Sequence, residues 1–391
     1  MSTSIIKIVV TISAGVLFLM PQYGAAEETE LMDFYGDEEF VSIATGTAKP
    51  ISKAPAVASV ITADDIKQIG ATDVDDILET IPGLHVARNL VGYAPIYVFR
   101  GIYTDANPQV LMLINGAPMT SLYLGNRTQI WGGMSVESIS RIEVIRGPGS
   151  AVYGADAFAG VINIITKNAA ELDGLKTGVR YGNFNTKDWW LSYGKTGTGF
   201  DIAASVEIHD TDGHSENITA DAQTFLDAIS GTNASLAPGS VNLNRKNLDA
   251  QLKLGYGHLV INTGIQLRQD QGLGVGLAPA LDSAGQGSSK RYNTDITYDN
   301  PDYTENLGIK ASVSYSHITQ EVEDNLVLFP PGSRGPFLDP LGSPLFPPFP
   351  NGVIGNPEVY ERHSRANLLT TYRGFDNHEV LIGTGYYYGE V

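Results

Sequence analysis

The stretch SRIEVIRGPGSAVYGADAFAGVINIITK, Ser140 to Lys167, holds two apolar runs on either side of a glycine-rich loop. The runs Ile142 to Ile145 and Val161 to Ile165 are mostly β-branched, which predicts two buried strands. A phosphate-binding loop would need Gly-Lys followed by Ser or Thr, whereas Gly154 is followed by Ala155. The loop residues of interest are Gly147, Pro148, Gly149, Gly154 and Gly160. Their role is conformational, because glycine permits positive φ and close backbone approach and proline fixes one corner.

The composition excludes several classes of function. The 391 residues carry a formal net charge of -18 and contain no cysteine. A chain this acidic repels phosphate backbones, so we expect no nucleic-acid partner. The absence of cysteine excludes a disulfide framework, thiol catalysis and cysteine-ligated metal. No nucleophile and base pair, carboxylate couple or metal cluster stands out at usable spacing, so we expect neither an enzyme nor a cofactor.

The N-terminus, residues 1–26, has the pattern of a secretory signal peptide. Lys7 precedes an apolar run from Ile8 to Met20, and the small residues that follow end at Ala26. Cleavage is expected after Ala26. A membrane anchor is the alternative, but the run is shorter than the roughly 20 residues that a spanning helix needs.

The acidic residues 27–50 predict a flexible lead segment. The residue pattern changes after them. Residues 51–170 have the pattern of a small mixed α/β domain. Thr62 and Thr72 each stand three residues before an acid at the start of an apolar period, which predicts two short capped helices, the first ended by Gly70. Strands are predicted at Leu84 to Ala87, Ile96 to Phe99, Val110 to Ile114, Ile142 to Ile145 and Val161 to Ile165.

Residues 171–391 alternate apolar and polar side chains, which predicts antiparallel strands with one apolar face. A soluble sandwich of two sheets gives the same alternation. Here, however, short turns alternate with long polar connections at 211–246, 271–289 and 319–361. Long connections without structure of their own argue against a compact soluble domain. Outer-membrane barrels have short periplasmic turns and long outer loops, so this pattern favours transmembrane strands.

The number of these strands is about nine, which is odd, whereas bacterial single-chain barrels have even numbers. An unclosed barrel leaves two edges whose backbone groups lipid cannot satisfy. The sequence therefore predicts a partial barrel, truncated from a larger one of about 22 strands.

The opening stretch resembles the end of the plug in TonB-dependent outer-membrane receptors, whose signature has the form IEVIRGPxSxLYGxxAxxGVINIITK. The matching positions are Ile142 to Pro148, Tyr153-Gly154, Gly160 to Lys167 and, upstream, Ile81 to Val86, Phe99 to Gly101 and Val110 to Gly116. The resemblance implies a mixed α/β plug domain folded inside a transmembrane antiparallel β-barrel. It also implies contact with lipid in the outer membrane of a Gram-negative bacterium.

Part of the lead resembles the TonB box, an extended segment found before the plug in this family. Its residues are Glu39, Phe40, Val41, Ser42, Ile43, Ala44 and Thr45. The segment departs from the family where Ile43-Ala44-Thr45 replaces the frequent Val-Thr-Ala. Such a segment binds by adding a strand to a sheet edge of its partner. The implied partner is the energy-coupling protein TonB on the periplasmic side.

The resemblance also implies roles for side chains of the plug. Arg100, Arg146 and Glu143 are expected to dock the plug, with the arginines pairing to barrel carboxylates. The candidate ligand contacts are Arg88, Tyr93, Tyr123, Arg127 and Trp131, although packing against the barrel wall explains them equally simply. Three histidines, His85, His209 and His214, suggest haem or metal binding, but scattered histidines without ligand spacing are more often structural or solvated.

The function that the resemblance implies is energised uptake of a scarce solute, with a ferric siderophore or other iron chelate as the first expectation. A cobalamin or haem receptor of the same family is the alternative. An outer-membrane β protein with a structural or adhesive role and no transport is a further alternative from another class.

Overall fold

The computed structural model of the protein describes residues 57–391 apart from eight short segments, and three backbone strands that precede them. The eight segments are 90–92, 126, 128–129, 148–154, 277–279, 324–325, 335–346 and 376–377. The three strands are β1 (Phe18–Pro21), β2 (Phe40–Val41) and β3 (Lys49–Pro50). The predictions for Glu39, Ser42 to Thr45, Pro148, Gly149 and Gly154 lie outside the described residues, as does most of the predicted signal peptide.

The part of the chain predicted as the plug contains short strands and three short helices. In order they are β4 (Ala58–Thr62), α1 (Ala63–Ile69), α2 (Val74–Glu79), β5 (Leu84–Arg88), β6 (Pro95–Phe99), β7 (Val110–Ile114), β8 (Ala117–Pro118), β9 (Ile139–Arg146), β10 (Gly160–Thr166) and α3 (Ala169–Leu172). A single 3₁₀ turn, Ala155–Ala157, precedes β10. The five strands predicted here from the sequence are confirmed, each within three residues at either end.

The two apolar runs of the segment from Ser140 to Lys167 lie in β9 and β10. These are central strands of a five-stranded mixed sheet, in the order β4-β9-β10-β7-β8. Strands β9 and β10 are antiparallel, with Arg146 opposite Gly160, whereas β10 and β7 are parallel. Both faces of the sheet are buried. Ile142 and Ile162 join the core beneath α1 and α2, and Ile145 and Val161 pack on the other side. This double burial explains why the runs are continuously apolar and do not alternate.

The helix caps agree with the sequence at one helix and differ at the other. Thr62 caps α1 in a reciprocal box with Asp65, and Gly70 ends the helix in the left-handed conformation at φ 73°. For α2 the cap is Asp73 rather than Thr72. The prediction of Thr72 was wrong by one residue, because Asp73 and Asp76 repeat the same spacing one position later and a carboxylate is the stronger acceptor.

The rest of the chain builds a second sheet from long strands. Its elements are β11 (Gly174–Tyr181), β12 (Lys187–Thr196), β13 (Phe200–Thr211), β14 (Asn217–Ile218), α4 (Ala222–Ser230), β15 (Gly239–Ser240), β16 (Arg245–Tyr256), β17 (Leu259–Gly272), β18 (Gln286–Thr304), β19 (Leu307–Val322), β20 (Leu326–Phe329), β21 (Val353–Gly355), β22 (Glu358–Phe375) and β23 (His378–Glu390). The sheet runs in the order β11-β12-β13-β16-β17-β18-β19-β22-β23, with β1 at the far edge. Within the described residues β11 and β23 do not pair, so the sheet is open.

The faces of this sheet are arranged the opposite way from those of a soluble sandwich. On β13 the apolar Phe200 and Ile208 are exposed, whereas the polar Ser205, Glu207 and His209 are buried. Apolar residues facing outward and polar residues facing inward are typical of transmembrane barrel strands. None of the helices in the described part of the chain is long and apolar enough to cross a membrane.

Short turns and long connections alternate along the sheet as the sequence predicts, but two of the long ones contain structure of their own. The connection from β13 to β16 contains α4 and the pair β14-β15, and that from β19 to β22 contains the pair β20-β21. Helix α4 forms because Asp221 caps it in a box with Thr224 and Gly231 ends it. The expectation of loops without structure was therefore wrong for these two connections, because a capped helix and short strand pairs satisfy their backbone groups.

Candidate functional site

A cavity of about 370 Å³ lies between the mixed sheet's domain and the ends of the long strands. Its strand-side wall comes from the turn before β12, which contains Phe184 and Thr186, and from the ends of β13, β16 and β17 that carry the long connections. Its other wall contains Arg88 at the end of β5, Tyr93 and Trp131. The cavity therefore brings together three of the five ligand contacts predicted from the sequence.

Two arginines reach the cavity from opposite walls. Arg88 donates to Asp75 across 3.3 Å and leaves 41% of its side chain exposed. Arg245, on β16, lies 3.7 Å from Asp73 and is 34% exposed. Both contacts are long for charged hydrogen bonds. The two guanidinium groups are thus only loosely paired and can bind an anionic group in the cavity.

The carboxylates below these arginines sit at the start of α2. Asp75 is buried and also accepts a 2.7 Å hydrogen bond from the Tyr97 hydroxyl. Burial and the neighbouring Asp75 charge raise the pKa of Asp73 to about 7, against the opposing effect of Arg245. Burial, followed by Asp75, also raises the pKa of Tyr97 well above its ordinary value. Asp73 therefore gains or loses a proton near neutral pH.

Arg127 and Tyr123, the other two predicted contacts, do not line the cavity. Arg127 is 4% exposed, lies 4.0 Å over the Tyr97 ring and donates to the carbonyl of Pro95 across 2.7 Å. Burial lowers its pKa. Arg127 packs inside the mixed domain, whereas Tyr123 is 58% exposed. Trp131 lines the cavity, yet it is only 4% exposed.

Two histidines on the strand side also line the cavity, His209 on β13 and His214 just beyond it. The Nδ1 of His209 is 2.6 Å from a carboxylate oxygen of Asp188, its cross-strand neighbour. His85 lies elsewhere, exposed on β5 and paired to Glu79. Sequence reasoning treated the three histidines alike and did not single out Arg245. The signal in the sequence was position, since His209, His214 and Arg245 all lie at or next to a strand end beside a long connection.

Charged side chains on the inward face of the long strands bind main-chain atoms of the mixed domain. Glu207 accepts from the backbone N–H groups of Glu137 and Ser138, at 3.0 and 2.6 Å. Arg268, 2% exposed, donates to the carbonyls of Trp131 and Gly133 and to Asp249. Glu361, Ser289 and Arg291 make further contacts of this kind, to residues 118–122 and 130. These contacts hold the mixed domain against the sheet.

The arginines predicted to dock the domain bond within it. Arg100 donates to the carbonyl of Arg146 across 3.0 Å, and Arg146 donates to the carbonyl of Pro82 and the hydroxyl of Ser59. Glu143 is fully buried and accepts from Arg141 across 3.0 Å. Their pairing with barrel groups stays a prediction. Gly147 has a φ of 135° beside Arg100, a conformation that favours glycine.

The comparisons with known proteins decide the family. Residues 50–161 match the family model described as the TonB-dependent Receptor Plug Domain. These residues are a plug domain of the TonB-dependent receptors. The mixed domain is therefore a plug, and the long strands match the barrel strands of this family. The fold class and the outer-membrane location predicted from the sequence are confirmed.

Curated relatives match part of the chain. The "Vitamin B12 transporter BtuB" of Vibrio vulnificus (strain CMCP6) is 29% identical over 243 residues, which are 58% of this chain and 38% of the relative. The "Iron-regulated outer membrane virulence protein" of Vibrio cholerae serotype O1 is 37% identical over 139 residues, 34% of this chain and 20% of the relative. The chain thus spans well under half the length of the relatives it matches.

Solved structures show the same fold. A mutant of the ferric enterobactin receptor PfeA from Pseudomonas aeruginosa superposes with a TM-score of 0.57 at 18% identity, covering 86% of this chain and 49% of the other. The copper transporter OprC superposes with a TM-score of 0.58 at 18% identity, covering 86% and 46%. The chain spans about half the length of these receptors and carries their plug with part of their barrel.

Proposed function

We propose that this chain is the plug and part of the barrel of a receptor that imports a ferric siderophore or a similar iron chelate across the outer membrane. The observation that carries the proposal is the cavity between plug and strands. In a chain with a net charge of -18, the arginines Arg88 and Arg245 face this space from both walls. Anionic chelators of iron fit such a cavity, and loosely paired guanidinium groups are available to bind them.

The energy for uptake comes, in this proposal, from TonB binding the lead segment at residues 39–45. Phe40–Val41 is an extended strand that pairs with Lys49–Pro50. An extended segment can donate main-chain hydrogen bonds to a sheet edge of the partner. A pull-down with the periplasmic domain of TonB should retain the chain and should lose it when residues 39–45 are deleted.

A second candidate ligand is cobalamin. The vitamin B12 transporter of Vibrio vulnificus aligns over 243 residues, including strands beyond the plug, whereas the iron-regulated relative aligns over 139. The two candidates differ in the charge of the ligand, so the cavity arginines discriminate between them.

The test is a fluorescence titration of the chain in detergent micelles with ferric enterobactin and with cyanocobalamin. Trp131 lines the cavity, so a bound chelate should quench tryptophan emission saturably. The pair Arg88→Gln and Arg245→Gln should weaken binding of the iron chelate by about 10-fold or more. Arg100→Gln, whose guanidinium bonds within the plug, is the matched control and should bind as the wild type does.

Quenching by cyanocobalamin alone would favour the second candidate. The proposal of an iron chelate would be abandoned if ferric enterobactin gave no saturable quenching, or if the two arginine substitutions left its affinity unchanged.

A further inference from the structure

The cavity contains a histidine whose outer ring nitrogen has no partner. His209 is 9% exposed, and its Nε2 is buried without a hydrogen-bond partner. The side chain points to the inward face of β13, where the cavity lies. A buried polar atom without a partner loses its contact with water and gains nothing in return. A ligand atom that takes this nitrogen would remove that penalty.

The other ring nitrogen fixes the chemistry of Nε2. Nδ1 lies 2.6 Å from Asp188, whose second oxygen accepts from Arg180 across 2.9 Å. A carboxylate accepts hydrogen bonds, so Nδ1 carries a proton, and the neutral form of the ring has its lone pair at Nε2. A carboxylate behind Nδ1 is also the arrangement that orients metal-binding histidines and increases their basicity.

Other histidines in the described part of the chain differ from His209 in one respect or another. His363 uses both nitrogens, with Tyr387 and with Glu361. His317 has an unpartnered Nδ1, but its ring stacks on Tyr292, which is on the outward face. His85 has the same kind of carboxylate partner at 2.9 Å, but its side chain is 67% exposed and outside the cavity.

The metal partner of this nitrogen has to bring most of its own ligands. In the described part of the chain no group of three or more His, Asp or Glu side chains could hold a bare ion. The cavity wall offers a second imidazole, His214, whose ring lies 6.1 Å from that of Phe184. It also offers Arg88 and Arg245 for anionic groups. These features together fit a chelate and not a free cation.

We infer that His209 binds the metal of an anionic transition-metal chelate that has at least one exchangeable coordination position, with His214 as the second imidazole. The inference rests on the proposed function and narrows its substrate class, because a chelate whose six positions are all filled has no place for Nε2. In the binding step water leaves the metal and a bond from Nε2 to the metal forms, with no change in oxidation state. Arg88 and Arg245 bind the chelator's anionic groups.

The experiment uses the whole chain in detergent and two copper probes. Copper(II) nitrilotriacetate is an anion and keeps exchangeable positions, whereas copper(II) EDTA surrounds the metal with its own donors. Wild type should bind the first probe saturably, with hyperfine structure from an imidazole nitrogen added to that from the chelator's own nitrogen in the electron paramagnetic resonance spectrum, and should not coordinate the second. His209→Gln should lose affinity by more than the roughly 10- to 100-fold that loss of a carboxylate behind the histidine costs.

His85→Gln is the matched control, because it removes a carboxylate-paired histidine from outside the cavity, and it should leave the affinity at the cavity unchanged. If His209→Gln does not fold, Asp188→Asn keeps the imidazole and should weaken the probe by about 10-fold. Equal affinity of wild type and the folded His209→Gln variant, or of wild type and Asp188→Asn where that variant is the one used, overturns the inference.

The outcome also separates this inference from the proposed function. Saturable binding of ferric enterobactin, together with equal affinity of wild type and folded His209→Gln for the copper probe, would support iron-chelate uptake and refute direct metal binding by His209. If His209→Gln no longer binds the copper probe, and the wild type binds no iron chelate, the histidine site is supported and the proposed substrate is refuted.

Discussion

At the scale of single residues, the contact between plug and barrel depends on a few buried charges. Arg268 is a clear example, because its guanidinium bonds at once to Asp249 and to two plug carbonyls. A buried charge that loses its partner is far more costly than an exposed one. The strands supply the charges, and the plug main chain accepts hydrogen bonds from Arg268 and donates them to Glu207.

We predict that Arg268→Met destabilises the folded chain by about 3 to 5 kcal/mol, because it leaves Asp249 as an unpaired buried carboxylate. Urea unfolding in detergent, followed by tryptophan emission, measures the free energy of unfolding. The exposed pair Lys310–Asp299, at 2.8 Å, is the control. Lys310→Ala should cost about 1 kcal/mol or less. Equal losses for the two variants would contradict the structural role of Arg268.

Asp73 predicts a pH dependence of stability. Its pKa is raised to about 7 in the folded chain, mainly by burial and then by Asp75, and should lie near 3.9 when unfolded. The folded state therefore holds the proton more tightly. Stability from this group is fully present below about pH 4 and is lost as the pH rises to about 7. The groups that face Asp73 are Asp75 and Asp76 on α2 and Arg245 on β16.

Asp73→Asn keeps a side chain that can cap the helix but does not titrate. In this variant the free energy of unfolding, measured by urea titration, should decrease less between pH 5 and pH 8 than in the wild type. The control is Asp64→Asn on the exposed side of α1, which should retain the wild-type slope. An unchanged slope in Asp73→Asn would show that another group dominates the titration.

At the scale of elements, the packing of β9 against β10 requires one close approach, at Gly160. A Cβ on Gly160 would stand 2.8 Å from the carbonyl oxygen of Ile145 and 2.8 Å from the Phe99 ring. Backbone cannot move aside as a flexible side chain can, so overpacking is costly here. The glycine is thus required by packing and not by its φ angle.

Gly160→Ala should therefore destabilise the plug by about 1 to 3 kcal/mol. Gly355→Ala, in β21, is the control because an added Cβ there meets nothing within 4 Å. Thermal unfolding in detergent measures both. A Gly160→Ala variant as stable as the control would mean that β9 and β10 can separate at low cost.

The helix caps are a second lesson at this scale. Sequence spacing predicted that two helices begin after Thr62 and Thr72, and only the first cap was right. Local hydrogen bonding decides between neighbouring candidates, and the pattern of a polar residue three before an acid occurs twice in Thr72 to Asp76. Short-range sequence patterns therefore predict the presence of a helix more reliably than they predict its first residue.

At the scale of the whole molecule, the plug is tied to the strands at several separate points. Glu207 binds residues 137–138, and Glu361 binds Ser121 and Leu122. If transport needs the plug to move, these hydrogen bonds between the strands and the plug have to break together. The absence of cysteine from the chain makes this testable with introduced pairs.

A cross-link between Ser138→Cys and Glu207→Cys should abolish uptake of the iron chelate by cells that carry the complete receptor, and reduction should restore it. The control pair Ser192→Cys and Ser205→Cys joins neighbouring positions of β12 and β13 and holds no part of the plug. Uptake should persist with that pair oxidised. Full uptake with the plug cross-linked would show that the plug stays fixed to β13 during transport.

The sequence by itself determined the family, the two kinds of sheet and about nine long strands, because periodicity and ordered motifs are local properties of the chain. It also identified Arg88, Tyr93 and Trp131, which line the cavity. Only the tertiary structure decided that Arg127 is packed inside the plug and that Arg245 and His209 face Arg88 across a cavity. The reason is physical: β5 and the ends of β13 and β16 are more than 100 residues apart in sequence. Their meeting depends on strand register and on plug docking, neither of which any local pattern encodes.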